Sequence, residues 1–506
     1  MAIEEAPAQP SGKVARRRDT RQQRGWYFYD WANSSFPTTV ITLFFGPYLI
    51  LVAQTAIERT VRAAGDALAT TVPAWGDQAF RDWLAEAIAV LTPAAAAAGQ
   101  SLEQLVGAAA LEGKVQLLGI ALFPEQLFFY AIPVSAIVQI VTLPILGAFV
   151  DRSSRKRAWL GWTAYLGAGT TVAMFLITPG RWQLALLLVG VANVLFQASV
   201  VVYDSFLPEI ATVDDRDRVS SRGWALGYIG GGLLLAVNLA IFQLEPFGIS
   251  GTTAVRVSLA SAGVWWAIFT IIPLRLLEDG PALVAEGSAG RAVLGAFGEL
   301  VRTTRLVASY PETVKFLVAF LLFNGGVGTV IAAAGSYAIE ELRIGEADLV
   351  LAILMVQFVA FFGALIMGRI AERAGAKTVV LWSLVLWSVV VTYGRFVPAG
   401  DVTVFFVLAA AIGFVLGGTQ ALSRSLFSHL VPARREAEFY SFYQISDRGT
   451  NILGPAALAF AYGLFGSYRE GILVLIVLFV LGGLMLVLTD MRKGIDAVGN
   501  PQPKVL

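Results

Sequence analysis

Residues 147–157 read Gly147-Ala-Phe-Val-Asp151-Arg152-Ser153-Ser154-Arg155-Lys156-Arg157, and the order of these residue types decides the fold. A small residue, Gly147, is followed about one helical turn later by an acid, Asp151. A basic run containing Arg152, Arg155 and Lys156 comes next. The same order returns at a constant displacement as Gly368, Glu372, Arg373, Gly375 and Lys377. Glycine lets two helices approach closely, and an acid at a helix end can pair with an arginine or with a helix N-terminus. Basic residues occur in many loops, but this spacing at matching places in two halves marks an internal repeat.

Long uncharged runs flank both copies. Of the 506 residues 57% are apolar and only 14% charged, whereas soluble domains carry about 25% charged residues. The mean hydropathy is +0.69, and runs of about 20 apolar residues recur along the chain. Twelve spans are predicted near 26–52, 127–150, 158–178, 183–210, 222–244, 256–277, 314–341, 348–371, 377–395, 402–431, 438–466 and 469–490. The expected architecture is an all-α integral membrane protein of twelve transmembrane helices in two six-helix bundles. Residues 1–25 form a basic tail, 26–277 the first bundle, 278–313 a linker, 314–490 the second bundle and 491–506 a second tail. The linker holds Gly280, Pro281, Gly287, Ser288 and Gly290, and its part 291–309 is expected to form a surface helix with solvated arginines.

The 37 basic residues nearly balance the 36 acidic ones, so no overall field recruits nucleic acid. Most of the Lys and Arg fall in the tails and in the loops on the same side as the tails. The excess of positive charge on inner loops then places both termini in the cytoplasm. The expected location is the cell membrane, which is the inner membrane if the source is Gram-negative. With no cysteine, thiol chemistry and cysteine-ligated metals are excluded. The single histidine, His429, is expected at a solvated helix end. No phosphate loop, zinc motif or nucleophile elbow occurs, so an enzyme, a metal site and a cofactor are not expected. The segment 53–126 is read as an outer insertion. Phe80, Trp83, Leu84, Ile88 and Leu91 recur at helical spacing behind Asp77, and Ser101 with Gln104 resembles a capping box for a second short helix.

The motif at Gly147–Arg157 resembles the signature of the major facilitator superfamily, with Ser154 in place of a glycine. That resemblance implies two pseudo-twofold-related bundles, alternating access and a central site between them. A narrower resemblance, to the vacuole-effluxer-like family, rests on Trp26-Tyr-Phe-Tyr29-Asp30-Trp31-Ala32-Asn33-Ser34, Ser205-Phe-Leu-Pro208-Glu209, Gly227-Tyr-Ile-Gly230-Gly231-Gly232 and Val356-Gln357-Phe-Val-Ala360. It covers nearly all the spans but not 53–126, and it implies amino-acid export. Gly325 after Asn324, where the family pattern has an acid, and Phe362 in place of a proline depart from that pattern.

Polar residues inside the spans are the candidate site. Asp30, Asn33 and Pro37 share one face of the first helix, with Tyr29 and Ser34 alongside. Asn193, Gln197 and Asp204 form a stripe on the fourth helix, and Tyr440, Tyr443, Asp447 and Asn451 one on the eleventh. Asn324, Gln357 and Gln420 supply amides from three other helices. These amides either line a solute cavity or mediate packing, and Asp30 would suit a substrate ammonium. Asp30, Asp204, Arg222, Arg424, Asp447 and Arg448 all fall in the cytoplasmic half of the spans. Opposite charges gathered there suit a salt-bridged gate, a proton-coupling site, or both. The partners expected are a small solute, protons and the lipid bilayer, with the chain acting as a monomer. A sugar, drug or nucleoside is the alternative solute, and a non-transporting receptor or assembly protein displaying 53–126 the alternative role.

Overall fold

The computed structural model describes residues 19–63, 77–97, 101, 103, 106–280 and 296–506. Lys13, Arg16, Arg17 and Arg18 of the tail, Gln104, the side chain of Asp77 and linker residues Pro281, Gly287, Ser288 and Gly290 lie outside that description, as does the side chain of Asn451.

Twelve long helices lie at the expected places: α1 Arg21–Ala63, α2 Pro124–Asp151, α3 Lys156–Ala173, α4 Trp182–Ile210, α5 Arg216–Leu244, α6 Gly251–Leu276, α7 Pro311–Glu341, α8 Glu346–Ala374, α9 Ala376–Arg395, α10 Val402–His429, α11 Glu436–Phe465 and α12 Tyr468–Leu488. All but α3 and α11 are long and apolar enough to cross a membrane on composition alone. α11 carries Glu436, Glu438, Asp447 and Arg448, and these charges are turned towards other helices. Side chains such as Ile137, Trp162, Leu187, Trp382, Phe460 and Leu488 are left exposed on the outside of the bundle, as a lipid solvent permits.

The repeat read from sequence reappears as a repeated packing scheme. In the first half α1 packs on α5 and α6, α3 on α4 and α6, and α2 on α4. In the second half α7 packs on α11 and α12, α9 on α10 and α12, and α8 on α10. The buried apolar side chains correspondingly separate into one cluster centred on residues 26–277 and another on 307–495. The halves meet through two reciprocal pairs, α2 with α11 and α5 with α8, and through α5 with α10.

α1 is the least regular helix. Pro37 has no N–H to give the carbonyl one turn back, so the chain widens into a π-helical stretch over Phe36–Phe44 before resuming as α-helix. The helix also runs well past its expected end at 52. Residues 53–63 are amphipathic rather than polar, with Ala53, Ile57 and Val61 buried and Glu58 paired to Arg62 at 2.7 Å. The insertion therefore begins later than expected.

Within the insertion a helix covers Asp77–Ala97. Phe80, Trp83, Leu84 and Leu91 are buried and Ile88 partly so. Where a second helix is expected, Glu103 and Val106 are helical, and the Gly107 N–H donates to the Glu103 carbonyl at 2.8 Å; a short helix at Ala108–Leu111 and an antiparallel hairpin, β1 Val115–Leu117 and β2 Ile120–Leu122, follow. Leu118 and Gly119 both have positive φ (51° and 84°), the geometry of a tight two-residue hairpin. Helical periodicity could not report this hairpin, because its strands are only three residues long.

Asp19 is held by Arg218 and Arg222, while Lys504 lies 3.5 Å from Asp214. The residues just before α1 and those beyond α12 thus meet the start of α5, and that end of the bundle is its proximal end. One expectation fails there and another holds in part. His429 is buried, 3% exposed, because the stretch beyond α12 covers it, with Asn500 donating to its carbonyl at 2.9 Å. The linker helix Ala296–Ala308 has Arg305 exposed, but its Arg302 pairs at 2.7 Å with the fully buried Glu438.

Candidate functional site

Arg424, near the end of α10, crosses from the second half into the first. Its Nη2 donates to Asp30 Oδ2 of α1 at 2.9 Å and its Nη1 to Asp204 Oδ1 of α4 at 3.2 Å. Nε donates to the Ser220 hydroxyl of α5 at 3.0 Å and Nη2 to the Ser220 carbonyl at 3.1 Å. Trp26 lies 4.6 Å from the guanidinium, with Tyr203 and Trp224 at 5.5 and 5.4 Å. All three charged side chains are at most 10% exposed. A guanidinium so placed is tolerable only because carboxylates, hydroxyl and aromatic faces replace its water. The close fit requires glycine at 223, since a Cβ there would lie 2.5 Å from Asp30 Oδ2.

A second polar group lies deeper, about two to three helical turns into α11. Asp447 accepts from Arg448 Nη2 at 2.6 Å and from Asn324 Nδ2 of α7 at 2.8 Å, and Asn324 Oδ1 accepts from Gln420 of α10 at 2.6 Å. Gln197 of α4 joins the two groups. With its carboxamide oxygen turned to Arg448 it accepts from Nε at 2.7 Å and donates to Gln444 at 3.3 Å. Gln444 in turn donates to Asp204 Oδ2 at 2.8 Å. An unbroken polar chain therefore runs Asp30, Arg424, Asp204, Gln444, Gln197, Arg448, Asp447, Asn324, Gln420, passing repeatedly between the halves.

The remaining candidates are placed differently. Tyr29 is fully buried and lies 4.9 Å from the Tyr203 ring, inside the first half. Tyr443 is buried against Phe320 and Phe427 at 4.4 and 4.9 Å. Asn193 donates to Ser135 of α2 at 2.7 Å, joining helices within one half. Asn33 is buried at the π-helical entry, and Ser34 faces Gly227 of α5, where a Cβ would lie 2.7 Å from its hydroxyl. Gln357 reaches across the halves to Thr38 at 3.1 Å. Arg222 stands away from the buried chain and holds Asp19 instead.

Sequence reading missed Gln444, Ser220 and the aromatic cage of Trp26, Tyr203 and Trp224. Gln444 carried a usable signal, an amide three residues before Asp447 inside a span. The cage did not, because aromatic residues are ordinary in membrane helices.

The two copies of the repeated motif act unequally. At Gly147 the α2–α11 contact is so close that a Cβ would lie 2.5 Å from the Ala437 carbonyl oxygen. Asp151 then accepts from the backbone N–H groups of Ala437 and Glu438 at 2.9 and 2.8 Å, in the first turn of α11, where the helix dipole favours a carboxylate. Lys156 pairs with Glu209 at 2.6 Å and lies 3.6 Å from Glu436, while Arg155 is exposed. Arg152 lies in the adjoining turn, partly exposed. In the second copy Gly368 is again tight, against Ser221 of α5, but Glu372 and Arg373 are exposed. The first turn of α5 carries Asp217, a like charge, so Glu372 meets no favourable N-terminus there. Lys377 donates to the carbonyls of Thr489 and Val487 beyond and at the end of α12, at 2.8 and 3.2 Å.

Asp151→Asn retains one acceptor but presents an amide NH2 to the second N–H. The proximal α2–α11 contact should weaken by about 1–3 kcal/mol. Faster hydrogen exchange in the first turn of α11, with the α6 core unchanged, is the expected readout. Equal exchange in both proteins would exclude the latch.

Among the described residues no group of three or more His, Asp or Glu is placed to hold a metal ion. The fold is shared with solved membrane transporters. The human organic anion transporter MFSD10 aligns over 92% of this chain and 99% of its own at 12% identity, TM-score 0.61. The outward conformation of FucP aligns over 90% and 99% at 11% identity, TM-score 0.54. In sequence the chain is 28% identical to the uncharacterized MFS-type transporter YxiO of Bacillus subtilis, over 95% of this chain and 97% of that one. Autophagy-related protein 22-1 of Penicillium rubens is 25% identical over 98% and 94%. The profile of the vacuole effluxer Atg22-like proteins matches residues 18–499, and the chain belongs to that family of MFS-type membrane transporters.

Proposed function

We propose that the protein exports amino acids or similar small solutes, coupled to protons, by rocking its two halves about a central pathway. The proximal end is cytoplasmic, and this conformation is shut there. The observation that carries the reading is Arg424, whose bonds to Asp30 and Asp204 join the halves across a buried plane. Asp151 on the start of α11 and Ser220 donating to the Ala421 carbonyl at 2.7 Å strengthen the same end.

Proton coupling is supported by charge arithmetic. The polar chain contains three carboxylates, Asp30, Asp204 and Asp447, against two guanidiniums, Arg424 and Arg448. A low-dielectric site disfavours the uncompensated charge, and a proton neutralises it. Protonating Asp30 or Asp204 also removes a partner from Arg424, so the proton that enters loosens the gate. A pathway formed between the two halves of one chain needs no second copy, which suits a monomer in the cell membrane.

The test is flux into proteoliposomes with an imposed pH gradient, using a labelled amino-acid mixture. Uptake that follows the gradient and collapses with a protonophore is expected. Folded protein that moves no amino acid in either direction would overturn the reading.

A further inference from the structure

Asp447 and Arg448 are neighbours in sequence, and successive residues on a helix point about 100° apart. Their charged ends nevertheless meet at 2.6 Å. Asn324 from α7 steers the carboxylate and Gln197 from α4 steers the guanidinium, so partners on both halves draw the two side chains to one point. The pair also differs from the rest of the charged chain in exposure. Asp30, Asp204 and Arg424 keep 10, 2 and 4% of their side-chain surface, whereas Asp447 and Arg448 keep 23 and 19%. On the proximal side of the pair lie buried Gln444 and the Arg424 cluster.

We propose that Asp447 and Arg448 form the substrate's head-group site, taking the ammonium of a zwitterion on Asp447 and its carboxylate on Arg448. This rests on the amino-acid reading above and names the residues that would give it specificity. The two protein charges form a neutral dipole, and a zwitterion laid against them is a neutral dipole of opposite direction. Binding therefore exchanges one internal ion pair for two charge-assisted pairs without adding net charge to a poorly hydrated site. A solute carrying one charge would leave the other protein group uncompensated, which is how such a site rejects amines and simple acids. Arg448 is also the group Gln197 holds. A substrate that draws Arg448 away frees Gln197 and, through Gln444, unsettles Asp204 beneath Arg424. Occupancy of the centre is thereby transmitted to the gate.

The experiment uses the full chain in nanodiscs and proteoliposomes. Wild type is first screened by thermal shift and flux with the common L-amino acids. The best of them is then compared with its α-carboxamide and its decarboxylated amine, in wild type, D447N, R448Q, D447E and R448K. For the intact amino acid, D447N and R448Q are expected to raise KM at least tenfold, with partial rescue in D447E and R448K. For the carboxamide, R448Q should cost less than threefold, because the charge it served is gone, whereas D447N should still cost tenfold. If wild type neither binds nor moves any amino acid, the proposed function fails and this site fails with it. If wild type transports but each variant loses all three compounds equally, or none, the pair is structural and only the site is overturned. The conservative variants keep the test informative if D447N or R448Q does not fold.

Discussion

Replacing Arg424 with methionine is expected to destabilise the protein by about 3–5 kcal/mol, the usual cost of removing one partner from a buried ion pair, and to abolish transport. Methionine fills much of the same space, so packing against Trp26 and Trp224 is largely kept. What is lost is the guanidinium that alone among the described residues bonds to Asp30 and Asp204, with Ser220 losing two contacts as well. The two carboxylates are then left facing each other in a buried plane. A companion variant separates charge from shape. R424M combined with D30N and D204N removes the whole cluster's charge, and well-packed neutral replacements of buried ion pairs are often tolerated. The triple variant should therefore recover most of the thermal stability in detergent yet remain unable to couple flux to a pH gradient. Retention of wild-type stability and flux by R424M alone would remove the cluster from any account of gating.

Gly147→Val should produce the second large effect, this time on conformation. A Cβ at Gly147 would lie 2.5 Å from the Ala437 carbonyl oxygen and 2.7 Å from its carbon. These are backbone atoms that cannot rotate aside. The contact yields only by separating α2 from α11, which also pulls Asp151 off the N–H groups of Ala437 and Glu438. Overpacking of this kind costs about 1–3 kcal/mol, and it falls only on the state in which the proximal end is shut. The chain contains no cysteine, so spin labels at S154C and A433C, both exposed positions on opposite halves, report without background. Gly147→Val should shift their distance distribution to longer values, by about tenfold in population for each 1.4 kcal/mol. An unchanged distribution would show that the α2–α11 contact is not the closure it resembles. Gly368→Val should act the same way on α8 and α5, because a Cβ there would lie 2.5 Å from the Ser221 Cβ, whose position its own backbone fixes.

The sequence carried the fold to an unusual depth. Lipid as solvent demands long apolar helices, so ten of the twelve segments stand out by length and hydropathy, and the repeated motif at Gly147 and Gly368 supplied the frame for the other two. It misjudged features that depend on amphipathic continuation, such as α1 running to Ala63, and on short elements, such as the hairpin at Val115–Leu122. His429 was misplaced because a neighbouring tail, not the helix itself, buries it.

For the candidate site the residue types were legible and the partnerships were not. Asp30, Asp204, Asp447, Arg448, Asn324 and Gln420 announce themselves because ionisable and amide groups are expensive in a membrane helix. Nothing in the spacing said that Arg424 rather than Arg222 would take the carboxylates, that Tyr29 would turn into the first half, or that Asp151 would find a helix N-terminus while Glu372 would not. Solvation cost is a property of each side chain, so the sequence by itself determined which groups had to be satisfied inside the bundle. Which group satisfies which depends on helix rotation and on close approach at glycines such as Gly147 and Gly223. Those are set by packing between segments hundreds of residues apart, and only the tertiary structure decided them.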